Sequence, residues 1–211
     1  MKGIILILLS LLFIKELNGQ GLTFKPGVYL NLEQLQAGTP AFNADFKIKK
    51  RSSEDITLNG GNDYKLISEN DSHRKKFIKR EVFAYIKNDT ILLNGFPNNI
   101  QIWYSMCLIK GNFMLFKGAM NNSDATVLSI TGGAIGGAIA SNKRHLYVLS
   151  LRTGNFRECT EEYLKERIKE NIPTLLDQYQ NDVMANKKDF ESVAYKYINL
   201  LNEYLVSKAQ N

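Results

Sequence analysis

The chain has 211 residues, 27 Lys and Arg against 21 Asp and Glu, a formal net charge of +6 and 44% apolar residues. That length and apolar fraction suit one globular domain, and the mild charge excess is no nucleic-acid signature, so nucleic acid is not expected as a partner. Only two histidines and two cysteines are present, which leaves little raw material for a metal centre or a nucleophilic device.

The chain opens MKGIILILLSLLFIKELNGQ. Lys2 precedes an apolar run from Ile4 to Ile14, and Asn18-Gly19-Gln20 follows, the layout of a secretory signal peptide. The run is shorter than the roughly 20 residues of a spanning helix. Residues 1–20 are therefore expected to be cleaved, and no Cys follows that could be lipidated. Export follows, to the periplasm, the outer-membrane surface or the medium, with no transmembrane helix in the mature chain.

Past the leader, Pro26-Gly27 marks a turn, 28–30 reads as extended, and Leu32 to Gln36 reads as one helical turn stopped by Gly38 and Pro40. FKIKKR from Phe46 alternates apolar and basic residues as a half-buried strand does. Residues 52–62 are polar and Gly-rich and read as a loop. DYKLIS from Asp63 is a short strand. Three hairpins follow: EVFAYIK with TILLNG about Asn88-Asp89, IQIWYSMCLI with FMLFKGA about Lys110-Gly111-Asn112, and HLYVLSL with FRECT about Arg152 to Asn155. Successive hairpins imply antiparallel pairing.

Helical signals begin after Cys159. Thr160 suits an N-cap, with Glu161 and Glu162 in the first turn, and Asn171-Ile172-Pro173 ends that helix. A short helix puts Leu175, Leu176, Tyr179 and Val183 on one face. Asn186 is read as the cap of a last helix, whose stripe of Phe190, Val193, Ala194, Tyr197, Leu201, Tyr204 and Leu205 packs on the sheet. The expected fold is α+β: an antiparallel sheet of about six strands in a domain spanning 21–159, a Gly-rich insertion at 126–142, and a C-terminal helical segment at 160–211 folded onto the sheet.

Several blocks together resemble a family of exported cell-envelope proteins of unknown function from Bacteroidota-type bacteria. GVYLNLEQLQAGTP resembles its opening block, VFAYIKNDTILLNG and IKGNFMLF its middle hairpins, LYVLSLRTGNF its recurrent strand and turn, and KYINLLNEYL its final helix. The resemblance implies an envelope location and no established activity. Ser150 stands where the resemblance leads one to expect Asp.

The segment TVLSITGGAIGGAIASNKR, from Thr126, has the most distinctive composition. A P-loop needs Gly-x4-Gly-Lys-[Ser/Thr], and Gly132 and Gly137 are followed by Ala138 rather than Lys. A dinucleotide fingerprint fails too, because Ala134 stands where the second Gly belongs. No cofactor motif remains. Two readings stay open. Gly132, Gly133, Gly136 and Gly137 allow close backbone approach in a buried connection between strands, or 127–140 touches a membrane, with Gly132, Gly136 and Ala140 forming a small-xxx-small row. As a helix the uncharged stretch 126–140 would be about 22 Å long, too short for a core of about 30 Å.

Other candidates are sparse. Cys107 and Cys159 could pair in an oxidising compartment, for roughly 4 kcal/mol in the chain-entropy account, or stay two buried thiols. Lys47, Lys49, Lys50 and Arg51, with Arg74, Lys75, Lys76, Lys79 and Arg80, could form a patch for an anionic glycan or lipid surface, or a charged edge that blocks aggregation. His73 is expected on a solvated loop. His145 could serve a Ser–His–Asp or Cys–His device, but no Gly-x-Ser-x-Gly supports one, and Glu81, Asp89 and Asp124 are unranked as paired carboxylates. The expectation is a non-enzymatic envelope protein that binds a partner protein or glycan. The alternatives are a peripheral membrane module using 127–140 and a hydrolase with an unrecognised site.

Overall fold

Short runs of β-branched and aromatic residues, cut by the turns named above, form nine antiparallel strands of one sheet in a computed structural model that describes residues 23–68 and 75–210. The expected leader at 1–20, His73 and Arg74 lie outside the described residues. The strands are β1 Gly27–Tyr29, β2 Phe46–Lys50, β3 Tyr64–Ser68, β4 Ala84–Lys87, β5 Thr90–Asn94, β6 Tyr104–Ile109, β7 Phe113–Ala119, β8 Arg144–Ser150 and β9 Phe156–Glu158. Seven follow the order β1-β4-β5-β6-β7-β8-β9, while the β2–β3 hairpin hangs from β6 through Tyr64 opposite Tyr104. With its C-terminal helices the chain is α+β. The sheet has nine strands rather than about six because the three hairpins, which supply β4 to β9, are joined by β1 on β4 and by the β2–β3 pair on β6.

The helices are α1 Leu32–Gln36, α2 Ser53–Asn59, α3 Lys75–Arg80, α4 Asn122–Asn142, α5 Glu161–Asn171, α6 Leu176–Ala185 and α7 Phe190–Gln210. Asn186 closes α6, its N–H bonded to the Asp182 carbonyl, and does not open α7. That task falls to Asp189, whose carboxylate accepts from the Ser192 N–H and hydroxyl.

Alternation along the strands makes two buried faces. On one, Tyr29, Ile86, Leu93, Phe116 and Leu149 form a single cluster with Leu35 of α1. In a flat sheet β1 and β8 would stand about 24 Å apart. Yet Gln36, at the end of α1, donates to the Leu151 carbonyl just past β8, and Phe24 and Phe156 flank the same cluster. The sheet is therefore curled, with α1 bridging its open side. The other face carries two clusters. Tyr85, Leu92 and Tyr104 meet Phe46, Leu66 and Ile78 beneath the β2–β3 hairpin and α3. Leu115 and Val148 meet Leu164, Ile168, Tyr197 and Leu201 beneath α5 to α7.

This two-faced construction separates the cysteines. Cys107 borders the concave cluster and Cys159 lies in the helix-covered one, with β7 and β8 between their strands. Both are free thiols rather than a disulfide, and burial pushes each up to about 12.

The last helix also mends the sheet. A register shift between Cys107 and Ile109 interrupts the β6–β7 ladder, and the Asn202 side chain takes over at Phe113, accepting from its N–H at 2.8 Å and donating to its carbonyl at 2.9 Å. A side-chain amide thus stands in for the missing strand. Asn202→Ala should orphan both backbone groups and cost about 1–3 kcal/mol in urea unfolding, whereas Glu203→Ala on the exposed side should cost under about 0.5 kcal/mol.

Candidate functional site

Between β7 and β8 a turn of two to five residues would suffice, because Ala119 already pairs with Arg144. The chain instead inserts α4. Asn121 caps it, accepting from the Asp124 N–H at 2.9 Å, and Gly133 breaks it at φ 55°, ψ −140°. That conformation is open to glycine and strained for any other residue. Two arms result, 122–132 and 134–142. They lie side by side: Ala125, Thr126 and Ser129 line a groove with Gly137, Ala140 and Ser141. A Cβ at Gly136 would collide with the Leu128 carbonyl oxygen, while Gly132 and Gly133 face open space. Gly136 is thus the close-packing residue of a helical hairpin, and the segment is not a buried connection between strands.

The hairpin presents apolar side chains outward. Ile130 and Ile135 are 77% exposed, Val127 60% and Ile139 51%. No residue from Ala125 to Asn142 carries a charge. The hydroxyls of Thr126, Ser129, Thr131 and Ser141 each donate to the carbonyl four residues back, at 2.7 to 2.9 Å. These polar groups are satisfied within the helix, and none is left to demand water.

A polar junction fixes the base. Residues 52–62 hold a helix, α2, where a loop was expected, because Ser52 caps the Asp55 N–H at 3.1 Å and Glu54 and Asp55 occupy its first turn. Asn142 donates to Thr57 of α2. Arg144 binds Asp63 at 2.7 Å and the Ser141 carbonyl at 2.8 Å. Asn62 is fully buried. Its Nδ2 donates to the Gln101 and Trp103 carbonyls, and its Oδ1 accepts from the Ala119 N–H and the Ser105 hydroxyl.

Arg51 holds the loop behind Asn62. Its side chain is completely buried, and its guanidinium donates to both Asp55 carboxylate oxygens and to the carbonyls of Asp55, Gly60 and Asn62. Lys65 reaches Asp55 at 2.7 Å. The Arg51 and Lys65 bonds hold the Asp55 carboxyl far below its ordinary range. Lys65 and Lys79 also stand over the Trp103 ring, 4.9 and 5.1 Å from its centre, and Trp103 sits at a positive φ of 77°.

A family model matches residues 27–205, from β1 into α7. The chain belongs to DUF6563, a family of unknown function. No curated protein and no solved structure matches it. The DUF6563 match contains the helical hairpin, its polar junction and the C-terminal helices.

In this DUF6563 chain the proposed cationic patch is thinned. Arg51 is buried, Lys79 lies on Trp103, and Arg80 on Phe96 at 5.2 Å. Lys47, Lys49, Lys50, Lys75 and Lys76 remain exposed. His145 Nδ1 meets Glu158 Oε1 at 2.5 Å, but its buried Nε2 has no partner among the described residues, so no hydroxyl or thiol completes a triad. Ser150 is buried, its hydroxyl accepting from the Thr153 N–H at 3.4 Å. Among the described residues no three His, Cys, Asp or Glu side chains gather as metal ligands.

Sequence reasoning missed Asn62, Gln101 and the Arg144–Asp63 pair, whose partners lie tens of residues apart. The one local signal was Gly60-Gly61, where the chain must pass the Gln101 side chain and the Ile102 carbonyl too closely for a Cβ. Arg51→Ala should cost about 3–5 kcal/mol, since it leaves Asp55 and buried carbonyls unpaired, and Arg51→Lys should not restore it because one ammonium cannot reach both ends. Asp55 is lowered in the fold, so its stabilising contribution is present above an unfolded value of about 3.9 and is lost as pH falls below it. Denaturant midpoints between pH 6 and 2.5 should therefore fall less steeply in Asp55→Asn than in the native chain.

Proposed function

We propose that this DUF6563 protein is an exported, non-enzymatic binding protein of the cell envelope that seats its α4 hairpin in the interfacial layer of a lipid bilayer. The observation that carries the reading is the exposure of Val127, Ile130, Ile135 and Ile139 on a projecting, uncharged hairpin.

A partner with one docking groove would cover one stripe. Here the exposed aliphatics form a short stripe on each arm, Val127 with Ile130 and Ile135 with Ile139, and an apolar layer that surrounds the hairpin meets both arms at once. The internally bonded hydroxyls support the same reading. Each arm is about 14–16 Å long, and no described helix is long and apolar enough to cross a membrane. The turn at Gly133 has backbone groups that need water or head groups. Together these favour shallow insertion of about 5–10 Å.

Partial burial of four aliphatic side chains contributes on the order of 5 kcal/mol before the costs of association, which suits reversible attachment. Export is supported by the leader-like run at Ile4–Ile14 between Lys2 and Asn18-Gly19-Gln20.

Co-sedimentation with phosphatidylcholine and phosphatidylglycerol vesicles tests the attachment. The chain lacking residues 1–20 should pellet with lipid. Ile130→Asp and Ile135→Asp change side chains that face outward and should melt as the native protein does, yet partition at least about tenfold less. Native protein left in the supernatant, or variants that pellet equally, would refute it.

A further inference from the structure

At the end of the sheet opposite the hairpin, the β8–β9 turn, the β6–β7 turn and α5 enclose a cleft of about 280 Å³. Its walls carry Arg152, Arg157 and Arg167 together with Glu166, Glu170 and Tyr163. Arg167 is already held by Glu170 at 2.8 Å, although its buried Nε has no partner among the described residues. Arg152 and Arg157 are exposed, and their guanidiniums make no hydrogen bond or ion pair with any described residue. We propose that this cleft binds the carboxylate-bearing unit of an acidic sugar, with Arg152 and Arg157 as the carboxylate ligands.

Charge selects the ligand class. Three guanidiniums against two carboxylates leave a single net positive charge, which matches a monoanion, while Glu166 and Glu170 repel a dianion such as phosphate. Unpaired guanidiniums are suited to planar carboxylates, which they grip with two parallel bonds. The rest of the wall suits a polyhydroxylated body. The Asn112 and Asn155 amides offer donors and acceptors, the Tyr163 ring and Leu205 give an apolar side, and the Glu carboxylates can accept from sugar hydroxyls. Tyr163 is pushed up to about 12 by burial, so its hydroxyl is a neutral donor at pH 7. The volume lies at the low end for ligand pockets and fits one sugar ring.

The position separates the two sites. Ala119 pairs with Arg144 beneath the hairpin and Phe113 with Ser150 beside the cleft, about 20 Å apart along the strands. A hairpin seated in lipid leaves the cleft in water, and the assignment stands whether or not the hairpin binds lipid.

Isothermal titration with galacturonate, glucose and inorganic phosphate tests it. Galacturonate should bind saturably in the millimolar range or tighter, and more tightly than glucose or phosphate. Arg152→Ala and Arg157→Ala should each weaken it at least tenfold with an unchanged melting temperature, because neither side chain has a partner to lose. Absence of galacturonate binding, equal binding of glucose, tighter binding of phosphate, or unaltered binding by both variants would overturn the assignment.

Discussion

Asn62 places a fully buried amide among segments that share no secondary-structure element: the loop before β3, residues 101–103 ahead of β6, and the end of β7. In a site without water each of those bonds is worth more than at the surface, and losing one leaves a group that nothing else can satisfy. Gly95 and Gly118 are glycines for the same reason, since a Cβ at either would press on the Asn62 amide. Arg51 then holds the Asn62 carbonyl from behind. The base of the hairpin inherits its rigidity from this network, through Ala119 on one side and Asp63 with Arg144 on the other.

That rigidity gives the apolar hairpin a purpose. A loose loop rich in glycine and isoleucine would collapse on the nearest apolar surface. Here the Ala119–Arg144 pairing fixes where both arms leave the sheet, and Gly136 packs one arm on the other. The aliphatic side chains are left facing outward on a braced stalk. The free energy they hold by not being buried is the driving force available for docking. The same two strands carry the order set at this end to the arginine-lined cleft at the other.

Much of the fold was legible because local chemistry and final structure agree. The Asn88-Asp89 and Lys110-Gly111-Asn112 turns sit between β4 and β5 and between β6 and β7, and Thr160 caps α5 by accepting from the Tyr163 N–H. The α7 stripe was legible too, because Val193, Ala194, Tyr197 and Leu201 are all buried. Legibility failed where long-range contacts decide. Residues 53–59 form a helix despite a loop-like composition, because Asp55 is claimed by Arg51 and Lys65 as well as by its cap. Arg51 looked like one more cation in a basic run, and only the carbonyls of Gly60 and Asn62, brought round by the fold, turn it into a buried clasp. In the Gly-rich segment, composition could not reveal that Gly133 would fold one helix into two arms.

Hydrogen–deuterium exchange of the chain lacking residues 1–20, with and without lipid vesicles, tests most directly whether the hairpin meets a bilayer. The account predicts slowed exchange confined to amides within 126–141 and strongest about Gly132 to Ile135. Unchanged exchange there, or protection centred instead on β2 or the C-terminal helices, would contradict it.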